Sequence, residues 1–493
     1  MAQNKEVVKR VEWRINNVGD GSSEISGHGC YMWEMTTRLA MKLYIFVKKA
    51  WEIGVNDPRK FIHCLKVGIA LTAVSLFYYM KPLYDGVGGN AMWAVMTVVV
   101  VFEHTAGATI YKTINRICGT SLAGFLAFGV HWVASKAGDE FEPVIVGVSI
   151  FLLASAATFS RFIPTIKARF DYGAMIFILT FSVISISGYR IEKLMDMAQQ
   201  RISTILIGTC LCIIVSLTIC PIWAGQELHV LVTGNLDKLA NSLQGCVAQY
   251  FNHSESSAEV NNEESNKKLI GYKCVLSSKA TEDVMANLAR WEPAHGRFNF
   301  RHPWKQYLKI AASMRSCASC IDALIGCINS ENKAPDHIKK NMSNISLKVG
   351  ANCASLIREL AITMKNMTKS SKVDILVMEM NNSAQELQDL LKSYPSLVNP
   401  SSSPNNAQDT ETEVASKIEI SLMEIIQVVT IASLLIEIVA RVKCIGKCVE
   451  ELSDLAKFQP AMCDKSKHHT VDNKINPDQD KDEEAINNKL QIV

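Results

Sequence analysis

Between Phe61 and Trp223 the chain passes through six long apolar runs joined by short polar loops, and from Ala224 onward it changes to amphipathic stretches broken by polar gaps. A helix needs about 20 predominantly apolar residues to cross a hydrocarbon layer about 30 Å thick. The runs therefore predict membrane spans over residues 61–80, 87–105, 117–135, 143–160, 172–188 and 201–223. The last of these holds the string ISTILIGTCLCIIVSLTICPIW, which has no Asp, Glu, Lys or Arg. Upstream, residues 36–54 (TTRLAMKLYIFVKKAWEIG) repeat their apolar positions at helical spacing, with Lys42, Lys48 and Lys49 between them. That pattern suits an amphipathic helix lying at a membrane surface, and equally an ordinary soluble helix.

The polar half predicts helices over 225–250, 267–291, 303–330, 335–368, 372–394 and 414–457. Residues 252–266 and 396–412 are Ser-, Asn- and Glu-rich, as is the acidic tail from Lys465, and such segments bury too little apolar area to order themselves. Residues 418–440 are rich in Ile, Leu and Val, but Glu419, Glu424 and Glu437 interrupt them, which favours a bundle core helix over a seventh crossing. Orientation follows from the loops, because Lys and Arg concentrate on the cytosolic side. Loop 111–116 carries Lys112 and Arg116, and loop 161–171 carries Arg161, Lys167 and Arg169; loops 81–86 and 136–142 hold one Lys each and run acidic. Both termini are then cytosolic. The expected fold class is an all-α membrane protein with six transmembrane helices followed by a cytosolic helical bundle. Its divisions are an N-terminal segment (1–60), a membrane domain (61–224), a cytosolic domain (225–464) and a disordered tail (465–493).

Composition narrows the function by exclusion. A net charge of +3 over 493 residues gives no reason to expect a nucleic-acid partner. The first apolar run starts too far in for a secretory signal. Among the fifteen cysteines, Cys64, Cys118, Cys210, Cys212 and Cys220 fall in the membrane runs, where the thiol acts as a small hydrophobe. Most of the others fall in the half assigned to the reducing cytosol. Cys317 and Cys320, with Cys327, have zinc-like spacing, but no second pair completes a ligand set, so they read as helix-packing residues. The string WEPAHGRF reads as a structural elbow: Pro293 ends a helix, Gly296 permits a turn, and Trp291 and Phe298 wedge the corner into place. With no P-loop, GxSxG or HExxH string, neither an enzyme nor a bound cofactor is expected.

Ionisable residues inside or at the edge of membrane spans carry the functional signal, because hydrocarbon makes them costly. Four are cations, Lys66, Arg116, Arg161 and Arg201, and one is the carboxylate Glu103, expected to pair with Lys66 or Arg116. Cations that turn inward would line an anion pathway, since rings of Lys and Arg select anions in pores. The competing reading is that edge cations extend to lipid headgroups. Asp85, Glu192 and Asp196 lie in loops expected on the outer side and together suit a hard, highly charged cation, which prefers oxygen ligands.

The strings NDPRKFIHCLKVGIAL, NAMWAVMTVVVVFEHTAGAT, ASAATFSRFIPTIKARFDYGAMIFILTF, CPIWAGQELH and WEPAHGRF resemble the aluminium-activated malate transporter family of plant anion channels, over about residues 50–305. The resemblance implies a homodimer with six membrane helices per subunit and a gated path for malate, and variously for chloride, nitrate or sulfate. It places pore arginines at Arg116 (in YKTINR) and Arg201 (in MAQQRISTILIG). It also makes Asp85, Glu192 and Asp196 the acids expected to respond to external Al³⁺. The plasma membrane is favoured over the vacuolar membrane. Two rival readings stay open: a proton-coupled organic-anion exporter using Glu103 and His104, and a membrane-anchored helical scaffold.

Overall fold

The computed structural model describes residues 27–80, 91–138, 140–188, 194–251, 269–330, 336–398 and 411–460. They are overwhelmingly helical, the exception being a two-residue parallel pair, Thr368–Lys369 with Gln459–Pro460. The described residues divide into two compact units, one containing residues up to Val232 together with Ser277–Ala311, the other Thr233–Leu276 and the residues from Ala312.

The first unit begins with α1 (Gly27–Asn56) and α2 (Pro58–Tyr79), then α3 (Ala91–Val101), α4 (Ala106–Ala137), α5 (Glu142–Ser160), α6 (Pro164–Gly188) and α7 (Leu194–Thr218). Helices α4, α5, α6 and the Arg201–Thr218 part of α7 are long and apolar enough to cross a membrane, as is α11 (Trp304–Ile328) farther along. In α5 the only buried residue is Val146, while Phe151 and Leu152 are exposed. Ile150, Leu153 and Ala157 pack toward α4 and α6, but a helix apolar on all sides that leaves most of its large side chains uncovered is suited to lipid and not to water. The protein is an all-α membrane protein.

Three segments differ from the hydropathy reading. Residues 111–116, expected as a loop, lie inside α4, which starts at Ala106 after the non-helical residues 102–105. Thr105 starts that helix by accepting a hydrogen bond from the Ala108 amide at 3.3 Å, the usual work of an N-cap hydroxyl. Residues 164–171, also expected as loop, form the first turns of α6, because Pro164 is well suited to open a helix. The segment expected to span over 87–105 is helical only over Ala91–Val101 among its described residues. Close approach of α4 and α6 rests on glycine. A Cβ on Gly119 would stand 2.7 Å from the Gly173 carbonyl oxygen, and one on Gly173 would stand 2.7 Å from Asn115 Oδ1. Small residues that let backbones meet are the usual device of membrane helix packing.

The elbow, which follows α10 (Lys279–Ala289), also belongs to this unit. The Glu292 carboxylate accepts hydrogen bonds from the Ala224 and Gly225 amides at 2.6 and 3.0 Å, capping the start of α8 (Ala224–Phe251). Helix starts leave such amides without partners, and a carboxylate there also meets the positive end of the helix dipole. Gly107, at the start of α4, comes so close that a Cβ would sit 2.7 Å from Glu292 Oε1. Trp291 meets Tyr111 edge-on at 5.7 Å, and the His295 ring stacks on Trp223 at 3.9 Å. Gly296 turns at φ +54, closing the His295–Phe298 bridge, and Phe298 is buried. The elbow therefore ties together the first turns of α4 and α8.

The second unit holds most of α8 and α11, with α9 (Gly271–Ser277), α12 (Asp336–Asn366), α13 (Lys372–Val398) and α14 (Glu411–Leu455). The residues expected to form a core helix do so: Val428, Ile431, Leu435 and Ile438 of α14 are buried. Cys317 is buried in α11 among Met314, Ile321 and Leu324, and no three potential metal ligands gather anywhere among the described residues. Gln427 stitches this unit by donating to the Cys327 carbonyl at 3.0 Å and accepting from the Tyr250 hydroxyl at 3.2 Å.

Candidate anion site

Helix α7 runs beside the cations that the sequence singled out. Near its start Arg201 is half-buried, with its guanidinium carbon 4.1 Å from the centre of the Trp93 ring on α3. That distance suits a cation on an aromatic face. Farther along, Arg116 on α4 is 8% exposed and donates from Nη1 to the Tyr172 hydroxyl at 3.2 Å, while its Nε has no hydrogen-bond partner among the described residues. The Arg116 charge is near enough to Cys212 of α7 to act on it electrostatically. Just past the end of α7, Lys66 of α2 is 2% exposed and donates from Nζ to the Cys220 carbonyl at 2.9 Å. That carbonyl is free because the helix has ended: Cys220 turns at φ +39 and Pro221 follows.

At 1.5 Å per residue, Cys212 lies about 16 Å and Cys220 about 28 Å from Arg201 along α7. The three cations are thus staggered over a length comparable with the hydrocarbon core. Among the described residues none of the three forms an ion pair. Each is instead held by a neutral group: a carbonyl, a phenol or an indole ring.

The other candidates are placed differently. Arg161, in the turn between α5 and α6, grips Asp171 with Nε on Oδ1 at 2.7 Å and Nη2 on Oδ2 at 3.3 Å, and so, unlike the other three, is ion-paired. Glu103 does have a cationic partner, but it is Lys112, not Lys66 or Arg116. Lys112 also donates to the Val100 carbonyl at 3.1 Å and lies 5.5 Å from the centre of the Tyr172 ring. Lys112 and Tyr172 were missed as site residues. With 111–116 read as helix, the i,i+4 spacing of Lys112 and Arg116 would have put both on one face. Asp85 and Glu192 lie outside the described residues; Asp196 is on α7, but its side chain is outside them too.

A sequence profile of a family described as aluminium activated malate transporter matches residues 51–421 and 399–453. Aluminum-activated malate transporter 10 of Arabidopsis thaliana is 51% identical over 94% of this chain and 97% of its own length. Aluminum-activated malate transporter 2 of the same plant is 42% identical over 85% of this chain and 79% of its own length. Aluminum-activated malate transporter 1 of Triticum aestivum is 38% identical over 90% of this chain and 92% of its own length. All of these relatives are named as transporters and not as enzymes. With helices apolar enough to cross a membrane and similarity that spans nearly the whole sequence, the chain belongs to the aluminium-activated malate transporter family.

Proposed function

We propose that the protein is a gated, passive anion channel that carries malate, and smaller inorganic anions such as chloride, nitrate and sulfate, across a plant membrane. The observation that carries the proposal is the set Lys66, Arg116 and Arg201: buried or half-buried cations without carboxylate partners among the described residues, staggered along α7. A charge held away from water needs a counter-charge, and a transported anion supplies it transiently. Neutral holders position the cations without neutralising them. Binding shared among several positions stays weak enough for release, which conduction requires. Arg161, neutralised by Asp171, has no part in this pathway.

The names of the relatives supply malate as the organic anion. In the full reading the chain is a homodimer with six membrane helices per subunit, cytosolic termini and a cytosolic helical domain, sited in the plasma membrane. Asp85, Glu192 and Asp196 are the proposed acids for external Al³⁺. Ion pairing of Glu103 with Lys112 argues against a proton relay, and so against the exporter reading. The test is current carried by malate in cells or reconstituted bilayers. Arg116→Gln and Arg201→Gln should each reduce anion current at least tenfold with surface expression unchanged. Wild-type current and selectivity in both variants would overturn the assignment.

A further inference from the structure

Hydroxyl groups inside membrane helices ordinarily turn back onto their own backbone, and several here do. Thr72 donates to Gly68 O, Ser75 to Leu71 O, Thr97 to Trp93 O, Thr209 to Ile205 O and Thr218 to Ile214 O, all at 2.7–2.9 Å. Thr113 and Thr120 on α4 break the pattern. They are 3% and 4% exposed, yet neither Oγ1 has a hydrogen-bond partner among the described residues. Arg116 stands between them, three residues after one and four before the other, and its Nε is equally without a partner. At 100° per residue the three side chains fall within one narrow stripe of the helix. The stripe has a defined upper end, because Thr109, one turn above, is engaged with the Glu103 amide at 3.1 Å.

A buried donor without a partner is costly, and three on one stripe call for a common acceptor. We propose that Thr113, Arg116 and Thr120 form a dicarboxylate-binding site within the anion pathway, in which the guanidinium takes one carboxylate and a threonine hydroxyl takes the other. The inference rests on the channel reading above and adds to it a basis for selectivity. Measured along the helix axis, Thr113 lies about 4.5 Å to one side of Arg116 and Thr120 about 6 Å to the other. A four-carbon dicarboxylate reaches from the guanidinium to a hydroxyl one turn away, whereas a halide occupies one position at a time. The hydroxyls therefore favour malate over chloride, while Arg116 serves both.

The experiment is the malate-to-chloride permeability ratio, taken from reversal potentials under bi-ionic conditions for Thr113→Val, Thr120→Val and Thr120→Ser. Valine keeps the shape and removes the hydroxyl, so folding is largely preserved; serine restores the donor. Expected is an approximately tenfold fall in the ratio for at least one valine variant, with chloride current retained. Thr120→Ser should match wild type, and Thr97→Val, which loses only a back-bonded hydroxyl, should leave the ratio unchanged. If Arg116→Gln abolishes current but both valine variants keep the wild-type ratio, this inference is overturned while the channel reading stands. If Arg116→Gln alone leaves current and permeability ratio intact, this inference falls; if Arg201→Gln does so as well, the channel reading falls with it.

Discussion

Replacing Glu292 by alanine removes one buried carboxylate and leaves two helix-starting amides, those of Ala224 and Gly225, without acceptors. Hydrogen bonds to a charged acceptor contribute about 1.5–3 kcal/mol each, and an abandoned buried donor costs about 1–3 kcal/mol. Burial of the carboxyl works in the opposite direction: it pushes the Glu292 pKa above the ordinary carboxylate range, against the amides that hold it down. The net loss expected in Glu292→Ala is therefore about 2–4 kcal/mol, confined to the junction where the elbow meets α4 and α8. Since about 1.4 kcal/mol is a factor of ten, amides at the start of α8 should exchange roughly 30- to 1,000-fold faster. Hydrogen–deuterium exchange on peptides covering residues 221–230 reads this directly, because local opening is measured there even when the whole chain does not unfold in one step. Glu292→Gln, which keeps one acceptor oxygen, should fall between wild type and alanine. Wild-type protection of those peptides in Glu292→Ala would refute the idea that this carboxylate holds the junction.

Acidification should weaken the same region through His302. Burial, with the His229 and His295 charges adding to it, lowers the His302 pKa from 6.5 to about 4. The unfolded chain binds this proton first, so the stability contributed by neutral His302 is present above about pH 6.5 and lost as pH falls toward 4, by about 3 kcal/mol. Thermal midpoints taken across that interval should slope less in His302→Gln, and emission from Trp304, whose ring centre is 4.6 Å from His302, should report the titration. At the α4–α6 contact, Gly173→Ala drives a methyl group into Asn115 Oδ1 and should lower stability by about 1–3 kcal/mol. A lower melting temperature of the detergent-solubilised protein checks this, and an unchanged value would mean the helices separate at no cost.

Much of the helical plan was legible in the chain itself, since hydropathy and helical period depend on residues a few positions apart. The stretches read as 225–250 and 303–330 appear as Ala224–Phe251 and Trp304–Ile328, and the fourth apolar run as Glu142–Ser160. Residues 111–116 and 164–171 were misread as loop for a physical reason. A hydropathy run reports where the chain avoids water, and a charge inside a helix ends the run without ending the helix. Membrane residence and the identity of the unusual cations were likewise set by residue type alone. Their partners were not. Lys66 meets a carbonyl 154 residues away, Arg116 a phenol 56 residues away, and Glu292 caps a helix 68 residues upstream. Which acceptor a buried donor finds depends on how helices distant in sequence pack, and no local pattern encodes that. Only the packed structure distinguished Arg161, neutralised by Asp171, from Arg116, left with an unsatisfied nitrogen between two hydroxyls.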